Sequence, residues 1–177
     1  MSCRCLVCQD YGDQDQLDDV DTSLARAVAD PGWAVLKVPE DPSWAFTIGL
    51  WHSYRAPELA MFGLDADVMH ELLNQLAERV KAGHPPAADT EIDDLLEGRT
   101  RLAVRETDDS WRAPLFGTSI GFYRATRGVP THQVVWSDAD GRFPWQDGYP
   151  GRLADAQPNL WQPVAEHPAG PWRDEAE

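Results

Sequence analysis

Residues 33–62, WAVLKVPEDPSWAFTIGLWHSYRAPELAMF, hold three β-prone runs with no helical pattern between them. Trp33 to Val38 is closed by Pro39, Trp44 to Leu50 ends on a Gly-Leu step, and Leu59 to Phe62 follows Pro57. Branched and aromatic side chains fill each run, and proline or glycine punctuates them, which is the signature of short strands. The pattern then changes period. Asp65 is a good N-cap for Val68, Met69, Leu72, Leu73, Leu76 and Val80, which recur at helical spacing with Glu71, Gln75, Glu78, Arg79 and Lys81 largely opposite. Gly83 and Pro85-Pro86 stop that helix. Strands that follow one another before the long helix favour α+β over a regular βαβ array. The expected fold is a single α+β domain, with a mostly antiparallel sheet and two to three helices packed on it.

Outward from this stretch, Leu17, Val20, Leu24, Ala27 and Val28 predict an amphipathic helix that ends at Asp30-Pro31-Gly32. Residues 87–98 read as a loop with one helical turn around Ile92, Leu95 and Leu96. Arg101 to Thr107 alternates, with Leu102 and Val104 on one face, and predicts a half-buried strand. Phe116, Ile120 and Tyr123 make a helical stripe, which Gly117 and Gly121 weaken by about 1 kcal/mol each. Gln133-Val134-Val135-Trp136 is a final strand running into an Asp138-Ala139-Asp140-Gly141 turn. The organisation is a Cys-rich segment over 1–16 (polar from residue 9), the domain over 17–162, and an acidic, Pro-rich disordered tail over 163–177.

Cys3, Cys5 and Cys8 form C-x-C-x-x-C, and the rest of the chain has no cysteine. Thiolates so clustered suit one metal ion, and zinc wants four ligands in a tetrahedron. His52, His84, His132 and His167 are available as the fourth, with His52 and His132 preferred because they adjoin predicted strands. Reduced cysteines without a metal, and a redox pair of Cys5 with Cys8, are the alternatives.

A second group is His52, Glu58, His132 and Asp138. If the strands beside them are neighbours, loops 51–58 and 132–145 would line one cleft, where a His–carboxylate pair could move protons. The plainer alternative is a capping Glu58 with surface histidines. Asp138 to Gly141 resembles part of a calcium loop but lacks the downstream glutamate, so a plain turn is expected. There is no Gly-x-Ser-x-Gly elbow and no Gly-rich phosphate loop.

With 30 acidic and 15 basic residues the chain carries a net charge of −15, which disfavours nucleic acid and anionic lipid and suits a cationic protein or peptide. No apolar leader opens the sequence and no run approaches the roughly 20 residues of a membrane span. An odd cysteine count without an export signal then points to a reducing cytoplasm, where the thiols stay free or bind metal.

The cysteine cluster, Phe46-Thr47-Ile48-Gly49-Leu50, Ala56-Pro57-Glu58-Leu59, Leu72-Leu73-Asn74, and Gln133-Val134-Val135-Trp136 with Asp138 and Phe143-Pro144-Trp145 together resemble a bacterial family described as a domain of unknown function. The resemblance spans roughly residues 3–150 and implies one shared fold. Its members commonly carry a histidine where this chain has Ala56. The strand, Thr-x-Gly-Leu step and Pro-led strand are also similar to flavin-binding split barrels, although Arg55 is the nearest basic residue for a flavin phosphate. Three readings follow: a binding or interaction domain with a Cys-bound structural metal, an enzyme with the His/Glu/Asp pocket, and a flavin-binding protein.

Overall fold

The computed structural model describes residues 3–9, 17–125 and 128–176. The polar connector expected after the cysteines therefore lies outside the described residues, apart from Gln9. Six strands form one sheet: β1 (Ala34–Val38), β2 (Trp44–Ile48), β3 (Glu58–Phe62), β4 (Glu91–Ile92), β5 (Leu102–Glu106) and β6 (Thr131–Trp136), in spatial order β1-β2-β3-β6-β5-β4. Neighbours are antiparallel except β3 and β6, which run parallel. The chain between those two is long enough for the crossover that parallel pairing requires. The α+β fold and mostly antiparallel sheet are thus as the sequence predicts. The split-barrel likeness fails, because the sheet is open with β1 and β4 at its edges.

One face of the sheet carries Ala45, Leu59, Met61, Leu102, Val134 and Trp136. Against it lies α3 (Ala66–Lys81), which buries Met69, Leu72, Leu73, Leu76, Ala77 and Val80. Asp65 caps this helix as its sequence suggests, its Oδ1 accepting from the N–H groups of Asp67 and Val68 at 2.9 and 3.3 Å. Val68 itself, placed in the apolar stripe by spacing, is 45% exposed, since the buried stripe begins one residue later.

The opposite face presents Trp44, Phe46, Ile48, Ala60 and Phe62. It is covered by α1 (Asp19–Ala29), α4 (Arg112–Leu115), α5 (Gly117–Tyr123) and α6 (Pro171–Ala176), through Leu24, Val28, Leu115, Phe122, Tyr123 and Trp172. With both faces covered, every residue of β2 and β3 is buried, Thr47 and Glu58 included, rather than alternate ones.

Three expectations change. Arg101–Thr107 is not half-buried in the expected way: Ala103 is buried along with Leu102 and Val104, because Val135 and Phe143 pack on its face. Residues 87–98 contribute the short edge strand β4. The tail after Pro163, expected to be disordered, carries α6 and lays Trp172 against Phe62 and Trp44, with ring centroids 5.2 and 6.2 Å apart. Its indole N–H donates to the Asp155 carbonyl at 2.8 Å. One large buried ring outweighs a polar, proline-rich composition.

Candidate metal centre

Between β2 and β3 the chain makes α2 (Leu50–Tyr54), a five-residue helix that carries His52. So short a helix has little stability of its own. Its entry is set by Gly49, whose φ is +117° and where a Cβ would meet the Gly32 carbonyl oxygen at 2.7 Å and Trp33 Cα at 2.9 Å. Its exit is Arg55, in the left-handed region at φ 57°.

The cysteine segment folds back onto this helix. The Leu6 N–H donates to the Phe122 carbonyl at 3.0 Å, Leu6 is buried, and Cys5 is 0% exposed. A tight turn, closed by Cys8 N–H and Gln9 N–H donating to the Cys5 carbonyl at 3.0 and 3.2 Å, brings Cys5 and Cys8 together. His52 Nδ1 then lies 3.1 Å from Cys5 Sγ, 3.3 Å from Cys8 Sγ and 3.8 Å from Cys3 Sγ. All four ligand atoms fall within 4.8 Å of one another. A tetrahedral ion with ordinary Zn–S and Zn–N bonds would separate nitrogen from sulfur by about 3.6 Å and sulfur from sulfur by about 3.8 Å. The cluster is therefore the size of one coordination sphere and is able to hold a metal ion.

The three thiols influence one another's ionisation. Burial opposes ionisation of Cys3, yet the Cys5 N–H, the Cys5 and Cys8 thiols and the Arg55 guanidinium together hold its thiol below the ordinary value. Burial pushes Cys5 up to about 12 and also raises Cys8, with the charge of Cys3 adding to both. Three thiolates this close would repel one another, with the neighbouring Arg55 balancing only one of them; a divalent ion would balance the rest. Burial, then Arg55, lowers the His52 pKa and keeps the imidazole neutral, the form that binds metal.

Of the four histidines considered, the fold brings only His52 to the sulfurs. His84 is exposed beyond α3. His167 is occupied elsewhere: its Nε2 accepts from Asn159 N–H at 3.0 Å and its ring packs edge-on against Trp111. His132 stands opposite Leu59 and Glu106 in the sheet.

The other grouping is not assembled. His132, beside Leu59, shares a sheet face with Val134 and Trp136, whereas Glu58 shares the other with Ala60 and Phe62. Asp138 lies past the far end of β6, its Oδ1 accepting from the N–H groups of Asp140 and Arg142 at 2.9 and 2.8 Å and its Oδ2 from Arg142 Nε at 2.9 Å. Gly141, at φ +84°, completes that turn. A groove of about 460 Å³ beside it, lined by Trp136, Asp138, Arg142 and Arg152, contains neither His52, Glu58 nor His132.

Glu58 is 2% exposed and accepts from Thr47 Oγ1 at 2.6 Å, from Gly49 N–H and Trp51 N–H at 3.0 Å each, and from the Tyr123 hydroxyl. Burial holds its pKa above the ordinary carboxyl range, although these four donors pull it down. Burial, the Glu58 charge and their hydrogen bond raise Tyr123, so the phenol keeps its proton. Tyr123 and Arg55 were not singled out by sequence as site residues. Tyr123 reads as part of an apolar stripe and Arg55 as the nearest basic residue for a flavin phosphate; the fold brings Tyr123 to the start of α2 and sets Arg55 beside Cys3 and His52.

The family model for the domain of unknown function DUF4262 matches residues 27–150, and the chain belongs to this family. No curated protein and no solved structure gives a significant match. The matched span contains His52 and Glu58, while the three cysteines precede it.

Proposed function

We propose that this protein is a binding or interaction domain in which Cys3, Cys5, Cys8 and His52 hold one structural zinc ion. The observation that carries the reading is the convergence of three sulfurs and one imidazole nitrogen within 4.8 Å. Soft thiolates with one imidazole favour zinc over magnesium or calcium, which take oxygen ligands. Four protein donors close a tetrahedral shell and leave no position for a substrate, which is the mark of a structural rather than a catalytic ion.

Such an ion would clip residues 3–9 onto α2 and α5, supplying free energy that this short segment cannot gain from packing alone. The net charge of −15 supports a cationic protein or peptide as the partner. Thiols kept reduced for metal binding suit a cytoplasmic setting. In keeping with this, no helix among the described residues is long and apolar enough to cross a membrane. The enzyme reading has no comparable support, since His132, Glu58 and Asp138 point to separate parts of the fold.

Elemental analysis of protein purified without an affinity tag tests the proposal. It predicts about one zinc per chain. A metal content near zero, in protein that also fails to take up added zinc, removes it.

A further inference from the structure

The metal centre joins two parts of the chain, and one buried carboxylate is hydrogen-bonded toward both. His52 rides on α2, whose N-cap residue, Gly49, has no side chain with which to cap it. The cap comes from β3 instead. Glu58 Oε1 accepts from Gly49 N–H and Trp51 N–H, two donors at the start of the helix that carries the imidazole. The otherwise unpaired N–H groups of the first turn require an acceptor there.

The same Oε1 accepts from the hydroxyl of Tyr123, whose oxygen in turn accepts from Gly49 N–H at 3.0 Å. Tyr123 ends α5, and its neighbour Phe122 supplies the carbonyl that takes the Leu6 N–H. Leu6 lies between two ligands, Cys5 and Cys8. Thr47 fixes the other carboxylate oxygen, and its Oγ1 also accepts from Leu59 N–H at 2.9 Å. Glu58 is thus locked in one orientation.

Resting on the zinc reading, we infer that Glu58 and Tyr123 are the positioning pair of the metal site: they set where His52 Nδ1 stands relative to the three sulfurs. Neither touches the ion. Their action passes through the α2 backbone on one side and through Phe122 and Leu6 on the other. Groups hydrogen-bonded to metal ligands commonly change metal affinity by 10- to 100-fold, and a pair acting through the backbone of the ligand's helix is expected at the lower end, about tenfold. A buried acid that serves only the fold would change stability and leave the coordination sphere alone.

The test uses the full chain, cobalt(II) as a spectroscopic probe, and the variants Glu58→Gln and Tyr123→Phe. Gln157→Met is the control, because Gln157 is a buried polar residue hydrogen-bonded to the Trp136 backbone and remote from the cluster. Circular dichroism establishes folding, and competition with a chromophoric chelator gives affinity. The expected result is cobalt binding weakened at least about tenfold in both site variants, with shifted thiolate-to-cobalt and ligand-field bands, and no such change in the control. A folded Glu58→Gln protein that binds cobalt within about twofold of wild type with unchanged bands overturns the inference, although the zinc reading survives. If Glu58→Gln does not fold, Tyr123→Phe, which loses only a hydroxyl, decides by the same criterion. Wild-type protein that binds no cobalt overturns both.

Discussion

His52 Nδ1 lies 3.1 Å from the sulfur of Cys5, a residue 47 positions away in sequence and 0% exposed. A turn and a five-residue helix, neither of which is stable alone, meet at this contact. Removing the imidazole leaves three crowded thiols with an incomplete shell. His52→Ala is therefore expected to weaken zinc binding by more than about a hundredfold, beyond what indirect positioning groups cost. Chelator competition measures this, and zinc should raise the melting temperature of wild type far more than that of the variant.

Chelation should also free the leading segment. Leu6 N–H is held by the Phe122 carbonyl, and the side chains of Cys3, Cys5 and Leu6 are buried. With zinc bound, the Leu6 amide is expected to exchange slowly with solvent deuterium. After treatment with chelator it should exchange at nearly the rate of an open chain while the α3 amides stay protected. Equal protection in both states would mean that packing alone holds the segment.

Much of the fold could be read in the sequence because its large elements announce themselves by period. The α3 stripe, its Asp65 cap and the runs that became β1, β2, β3, β5 and β6 appear close to where they were expected. Short elements carry no period to read: α2 has five residues and β4 has two. The cysteine spacing suggested a metal, and His52 stood among four possible partners. Choosing it required the α2 turn, which Gly49 and the distant Glu58 and Tyr123 create. The sequence leaves Glu58 open as a proton carrier or a cap, and 2% exposure with four hydrogen-bond donors makes it a cap. The docked tail escaped notice because its composition is polar and its anchors, the rings of Trp172 and His167, are isolated in sequence.

That ring supports a prediction of its own. Trp172 is 1% exposed against Trp44 and Phe62, so Trp172→Ala should lower unfolding stability by about 3–5 kcal/mol, as for other large-to-small core changes. Urea denaturation monitored by circular dichroism provides the value. A loss below about 1 kcal/mol would place the tail outside the core.

His132 predicts a pH dependence. It is 9% exposed, and its Nδ1 has no hydrogen-bond partner among the described residues. Burial lowers its pKa from 6.5, against an opposing pull from Glu106 and Asp89. The folded state therefore takes up this proton less readily than the unfolded chain does. The resulting stability is fully present above pH 6.5 and is lost as the pH falls through the lower folded value. In urea melts with zinc present, His132→Leu should lose stability less steeply than wild type below pH 6.5. Parallel curves for the two proteins would contradict the assignment.

The most direct test of the central claim is X-ray absorption at the zinc edge, recorded on wild-type protein as purified. The account predicts one shell of three sulfurs at about 2.3 Å and one nitrogen at about 2.0–2.1 Å, with the nitrogen lost in His52→Ala. A first shell made only of oxygen and nitrogen, or one identical in wild type and His52→Ala, would contradict it.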